Sequence, residues 1–236
     1  MLKLFGNLKQ GLEDIIYPRI CISCEQNLIE ANRYICPTCL EEYFQDPNPF
    51  RHSSCNDIIL PEGILLQDAL WQFDKGGHVQ KLLHAIKYHG MAGLGNELGK
   101  LLGNRLIQNP HYRSLTNKDN LIIVPIPLHK KKLQKRGFNQ ARCIAEGLSE
   151  ISKIPLIEKQ KIQRIKNTQS QTGFSIQERL KNVKKAFKVL DPLSVSGKKV
   201  IIIDDVFTTG ATSFELAAVC NLADADKTII LTIAQA

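Results

Sequence analysis

Val200-Ile-Ile-Ile203 is an unbroken run of β-branched apolar residues, the pattern of a short strand buried on both faces. It stops at two adjacent acids, Asp204 and Asp205. Leu121 to Val124 repeats the pattern and is ended by Pro125-Ile126-Pro127, where prolines remove ladder donors and turn the chain. Ala69 to Asp74 reads as a further strand. Apolar spacing of three and four predicts helices over His78 to Tyr88, with Val79, Leu82, Leu83 and Ile86 inward, and over Leu94 to Ile107. The same spacing at Leu4, Phe5, Leu8, Leu12, Ile15 and Ile16 predicts an amino-terminal helix. Asp46-Pro-Asn-Pro49 breaks the chain, and a connector runs to about Glu62-Gly63. Strands alternating with helices make an α/β core over residues 61–236, preceded by a small separate unit over residues 1–60.

That small unit carries Cys21-Ile-Ser-Cys24 and Cys36-Pro-Thr-Cys39. Two thiol pairs on two tight turns suit tetrahedral zinc, so these four cysteines are the candidate ligands of a structural zinc ribbon or knuckle. A disulfide reading is weaker, because Met1 to Tyr17 carries Glu13 and Asp14 and lacks the apolar core of a secretory signal. A redox reading lacks the βαβ setting it needs. Arg51-His-Ser-Ser-Cys55 adds His52 and Cys55, which leaves the ligand set and a second site open. Cys143 and Cys220 fall in helical patterns and read as buried thiols.

Composition changes this picture little, since 43% hydrophobic residues is ordinary for a globular chain. No stretch reaches the roughly 20 apolar residues of a transmembrane helix. Charge changes it more. Of the net +8, residues 121–199 hold 18 basic against 5 acidic side chains, whereas residues 1–60 hold 5 against 8. A positive field concentrated in that segment attracts pyrophosphate, nucleotides or a nucleic-acid backbone. Its densest part follows the Leu121 strand as a basic loop, in which Lys130, Lys131, Lys132, Lys135 and Arg136 are candidate contacts to pyrophosphate or DNA phosphates. A helix follows through Leu148. Lys181, Lys184, Lys185 and Lys188 read as a solvated surface.

The acids at the end of the Val200 run sit where open α/β sheets bind ligands. Thr208-Thr209-Gly210-Ala211-Thr212 then offers hydroxyls, a flexible glycine and successive backbone N–H groups before a helix starting near Ser213, a combination that binds phosphate. Carboxylates next to a phosphate cradle suit a ribose 5-phosphate. The segment resembles the phosphoribosyl-pyrophosphate loop of type I phosphoribosyltransferases, with Phe207 bulkier than the usual aliphatic residue. The resemblance implies that Asp204 and Asp205 hold the ribose hydroxyls and that Thr208, Thr209, Gly210, Ala211 and Thr212 wrap the 5-phosphate, with Mg²⁺ accompanying phosphoribosyl pyrophosphate.

Lys87-Tyr88, Val124 to Pro127, Arg136-Gly-Phe-Asn-Gln140, the run Arg164 to Asn182 with Gln171 and Arg179, and Asp204 to Thr212 together resemble the ComF (ComFC) family. The resemblance implies a type I phosphoribosyltransferase-like parallel sheet flanked by helices behind an amino-terminal zinc unit. It implies a role in natural transformation, with single-stranded DNA and other competence proteins as partners and a bacterial cytoplasmic location, a peripheral place at the inner membrane being left open. The alternative is a true phosphoribosyltransferase of nucleotide salvage or synthesis. No acceptor or acid/base group is identified by the residues.

Overall fold

The computed structural model describes residues 19–28, 33–44, 59–109, 112, 120–168 and 175–236. The expected amino-terminal helix, His52, Cys55, Gln171 and Phe174 lie outside the described residues. In chain order the elements are α1 (Pro37–Tyr43), β1 (Ile64–Gln72), α2 (His78–Tyr88), α3 (Ala92–Gln108), β2 (Leu121–Pro125), α4 (Lys130–Arg136) and α5 (Gln140–Ser152). They continue with β3 (Ile162–Arg164), α6 (Ile176–Val183), β4 (Phe187–Val189), β5 (Lys199–Phe207), α7 (Ala211–Asn221) and β6 (Lys227–Gln235).

Four strands form a parallel sheet in the order β1-β6-β5-β2, and β3 pairs with β4 in an antiparallel hairpin. This mixed α/β sheet with flanking helices fits the phosphoribosyltransferase-like fold. Val200, Ile201, Ile202 and Ile203 are wholly buried. Side chains alternate along a strand, so Ile201 and Ile203 enter one core with Leu82 and Ile86 of α2, Leu98 of α3 and Ile144 of α5. Val200 and Ile202 enter a second core with Leu216 of α7 and Phe187 of the hairpin. Helices thus cover both faces, which is why the strands of this sheet read as continuous apolar runs.

On the first face α3 and α5 approach to backbone contact. A Cβ at Gly99 would lie 2.0 Å from the Ile144 carbonyl oxygen, and one at Gly147 would lie 2.0 Å from that of Asn96. Both positions therefore require glycine.

Three boundaries differ from the pattern-based expectation. Strand β1 begins at Ile64 rather than Ala69, because Asp68 is buried against the Arg105 guanidinium, 3.3 Å away, and Tyr112. The basic segment expected as a loop is helical over Lys130–Arg136, capped by His129 Nδ1, which accepts from the Lys131 N–H, and ended by Gly137 at φ 84°. Helix α7 starts at Ala211, two residues early, with Gly210 at φ 72° before it. Among the described residues, no helix is long and apolar enough to cross a membrane.

Candidate functional site

The register of the sheet puts the acids at the carboxyl end of the strands, the side on which open α/β sheets form their ligand crevice. Strand β2 ends at Pro125 opposite Ile203, whereas β5 continues along β6 to Phe207. Asp204 and Asp205 therefore lie inside β5 but beyond the end of its neighbour on one side. Although they are consecutive, their carboxyls come close enough to hydrogen-bond each other.

Asp205 is buried and faces α2, where the Lys87 ammonium lies 2.6 Å from its Oδ2. Burial alone would raise the Asp205 carboxyl, but the Lys87 charge and hydrogen bond outweigh it and hold the group below the ordinary carboxylate range. For Lys87, burial opposes the charge, yet Asp205 raises its pKa. Asp204 is pushed the other way. Its own burial, reinforced by the negative charge of Asp205, raises its pKa well above the usual value. Two neighbouring carboxyls with separated proton affinities make one fixed anion and one group ready to hold a proton. A vicinal diol donating to the pair, or a divalent cation, would relieve their repulsion.

Further cations act on the pair, Arg136 on Asp205 and Arg164 on Asp204. Lys132 and Arg136 stand one turn apart on α4 and are half-buried, while Lys130, Lys131 and Lys135 are exposed. Burial, then the charges of Arg164 and Arg136, lower the Lys132 pKa. Arg136 is braced by a hydrogen bond to Gln140 Oε1. Arg164, at the end of β3, is set over the Phe187 ring at 5.2 Å and donates to Thr168 Oγ1 at 2.6 Å. Burial lowers its pKa and Asp204 works against that. Of the five basic candidates from the sequence, two turn inward and three do not. Arg164 joins them through the fold.

Behind the acids, Thr208 is exposed and the Thr209 Oγ1 is buried with no hydrogen-bond partner among the described residues. No side chain caps α7, so the N–H groups of its first turn keep the partial positive charge that favours an anion. The loop is held by packing instead. The wholly buried Phe207 meets Phe214 edge-on at 5.8 Å, and a Cβ on Gly210 would enter both rings. On the facing side, Asn139 accepts from the Ala141 N–H at the start of α5 and donates to the Ile126 carbonyl at 3.0 Å, tying α5 to the end of β2. Spacing alone assigns Asn139 no such role.

The second cluster lies at the amino-terminal unit. The sulfurs of Cys21, Cys24, Cys36 and Cys39 all fall within 4.8 Å of one another, and Cys24 and Cys36 are 3.8 Å apart. Zinc–sulfur bonds of about 2.3 Å in a tetrahedron imply sulfur separations of about 3.8 Å. The four thiols could therefore hold a metal such as zinc. Glu25 at φ 63° closes the first turn, and the Cys36 N–H donates to Cys21 Sγ at 3.3 Å. Burial raises Cys21, but N–H donors from Cys24, Cys36 and Ser23 outweigh it and bring the thiol down to about 7. Burial and the neighbouring Cys24 push Cys39 up to about 12. Ser23 Oγ meets His78 Nδ1 at 2.6 Å, and the Tyr34 N–H donates to Glu97 at 2.7 Å. These contacts dock the thiol unit on α2 and α3. Cys143 and Cys220 sit on α5 and α7, away from this cluster.

No family model matches the chain. Curated relatives do. It is 28% identical over 211 residues to Competence protein ComFC of Bacillus subtilis (strain 168), covering 86% of this chain and 78% of that one. It is 28% identical over 213 residues to DNA utilization protein YhgH of Escherichia coli (strain K12), covering 85% and 89%. Competence protein F of Haemophilus influenzae is 26% identical over 215 residues, covering 84% and 88%. The ComF resemblance is thus borne out over most of the chain.

Proposed function

We propose that this chain acts in natural transformation, a reading supported by relatives that are named for competence and for DNA utilization. In this reading it handles single-stranded DNA and carries a site for phosphoribosyl pyrophosphate, or a related ribose 5-phosphate, with Mg²⁺. Asp204 and Asp205 receive the ribose hydroxyls. Thr208 to Thr212 surround the 5-phosphate, with the buried Thr209 hydroxyl as one donor. Lys132 and Arg136 face the pyrophosphate, and the exposed Lys130, Lys131 and Lys135 track the DNA backbone.

One observation carries the ligand half of this reading. Two carboxyls held in opposite protonation environments stand at the open rim of a parallel sheet, followed immediately by an uncapped helix start. A solely structural strand end has no use for that combination, because removing a second buried acid would stabilise it. The DNA half is carried by the charge excess of residues 121–199.

Titration calorimetry with phosphoribosyl pyrophosphate and Mg²⁺ tests the site. Wild type should bind, and the Asp204→Ala/Asp205→Ala variant should lose binding while keeping its circular dichroism spectrum. Undiminished affinity in the variant would sink the assignment. For DNA, affinity for an oligonucleotide should fall steeply with salt, by roughly 0.7 log units per log unit of salt for each phosphate neutralised. Wild type that fails to bind even at low salt would eliminate direct DNA handling.

A further inference from the structure

Single strands are gripped by rings as well as cations, since each base offers a stacking face. The described aromatic side chains of this chain are mostly engaged elsewhere. Trp71 packs against Phe44 at 4.8 Å and donates to the Phe44 carbonyl, and Phe138 is packed on the main core. Tyr88 is different. It is 67% exposed at the last position of α2, yet it is not isolated. The exposed His84 ring meets it at 4.6 Å and meets the exposed His89 ring at 5.2 Å, nearly perpendicular. Exposed rings in mutual contact form a fixed surface, because each restricts the rotamers of the next.

This ring cluster borders a hollow of about 470 Å³ between the thiol unit and α2. His84 and His89 line it, with Ile22, Ala85 and Met91 as an apolar floor and Glu25 and Gln80 as polar edges. Such a lining suits a flat, uncharged heterocycle with hydrogen-bonding groups on its edge. Lys81 stands at the hollow, and Lys87, the residue before Tyr88, reaches Asp205 in the crevice, so the hollow and the acid site share one helix.

We infer that His84, Tyr88 and His89 form a base-stacking surface for an unpaired nucleobase of a single strand, at the edge of the hollow between the thiol unit and α2, which His84 and His89 line and Tyr88 flanks through His84. This rests on the single-strand half of the proposed function. It adds where the bases go, whereas the basic segment accounts only for phosphates. It also gives the thiol unit a task, as the wall that closes the base site.

The experiment is fluorescence anisotropy with a labelled oligothymidylate, across a salt series, on full-length metal-loaded protein. His84→Ala/Tyr88→Ala should weaken binding roughly fivefold to a hundredfold, the loss expected when base–aromatic stacking is removed. The slope against salt should stay unchanged, since no phosphate contact is lost. Tyr88→Phe, which keeps the ring, should retain wild-type affinity, and that rescue separates stacking from a folding defect. Competition by thymidine would assign the site to free nucleobases as well as strands. Equal affinity for wild type and the double alanine variant would overturn the inference and leave DNA binding standing. Absence of wild-type binding would instead remove the reading on which it rests.

Discussion

At the residue scale the decisive interaction is between Lys87 and Asp205, which are distant in sequence and 2.6 Å apart in space. Nothing in the spacing around the acids announces Lys87; it stands in the Lys87-Tyr88 pair that resembles the ComF family, and the fold brings the end of α2 to Asp205. The acids themselves were legible, because two carboxylates abutting four buried β-branched residues are expensive without a purpose. Lys87→Met should test the pair. Asp205 would keep its burial and lose its cation, so stability at neutral pH should fall by about 3 kcal/mol, the lower end for a broken buried pair because Lys87 is 27% exposed. The sign with pH follows from the shift. In wild type the folded pKa of Asp205 is depressed, so the pair stabilises above the unfolded value of 3.8 and that contribution is lost as pH falls through the folded pKa. In the variant burial raises the pKa, and protonation removes the penalty. Urea unfolding should therefore show a gap between the two proteins that narrows as pH drops from neutrality toward the carboxylate range. A gap independent of pH would assign the loss to packing alone.

At the element scale, what could be read depended on whether burial or caps make the element. Helix α2 was expected and found at His78–Tyr88, because its inward face repeats apolar residues at helical spacing. The Val200 strand was legible for the same reason. Helix α4 was not, since Leu133, its single apolar residue, is 40% exposed; it is held by the His129 cap and the Gly137 turn. Strand β1 is longer than its pattern predicts because Gln67 and Asp68, polar in sequence, are buried, Asp68 beside Arg105 and Tyr112. Finding α4 divides the basic segment into two faces, and the faces predict different losses. Lys132→Ala/Arg136→Ala should weaken phosphoribosyl pyrophosphate binding about tenfold to a hundredfold, the scale of charge-assisted hydrogen bonds. Its DNA salt slope should barely move. Lys130→Ala/Lys131→Ala/Lys135→Ala should keep sugar-phosphate affinity and reduce the DNA slope by about two units if all three touch phosphates. Calorimetry and salt titration on the same preparations would decide, and equal losses in both variants would contradict the two-faced helix.

At the scale of the whole molecule, the thiol unit and the sheet are mechanically joined. Cys21, Ile35, Cys39 and Phe44 are buried in the same core as Leu82, Ile86 and the β6 residues Ile229 and Leu231. Ser23 meets His78 at the start of α2, and Lys87 near its end meets Asp205, so one helix runs from the thiol cluster to the acid crevice. Small metal sites supply much of the ordering energy of the segment they bind. The purified protein should contain about one zinc per chain, and Cys39→Ser should lose the metal. Because the thiol unit covers part of the shared core, its release should expose Leu82 and Ile86 and lower the melting temperature of the entire chain. A fall of at least about 5 °C is expected, since for a chain of this size 1 kcal/mol corresponds to roughly 2–4 °C. Cys220→Ser, equally buried but remote from the cluster, should keep the full metal content whatever it does to stability. Elemental analysis with calorimetric melting of the two variants separates the roles. A Cys39 variant that loses zinc yet melts like wild type would mean that the thiol unit rests on the sheet without stabilising it, and the mechanical link through α2 would fall with it.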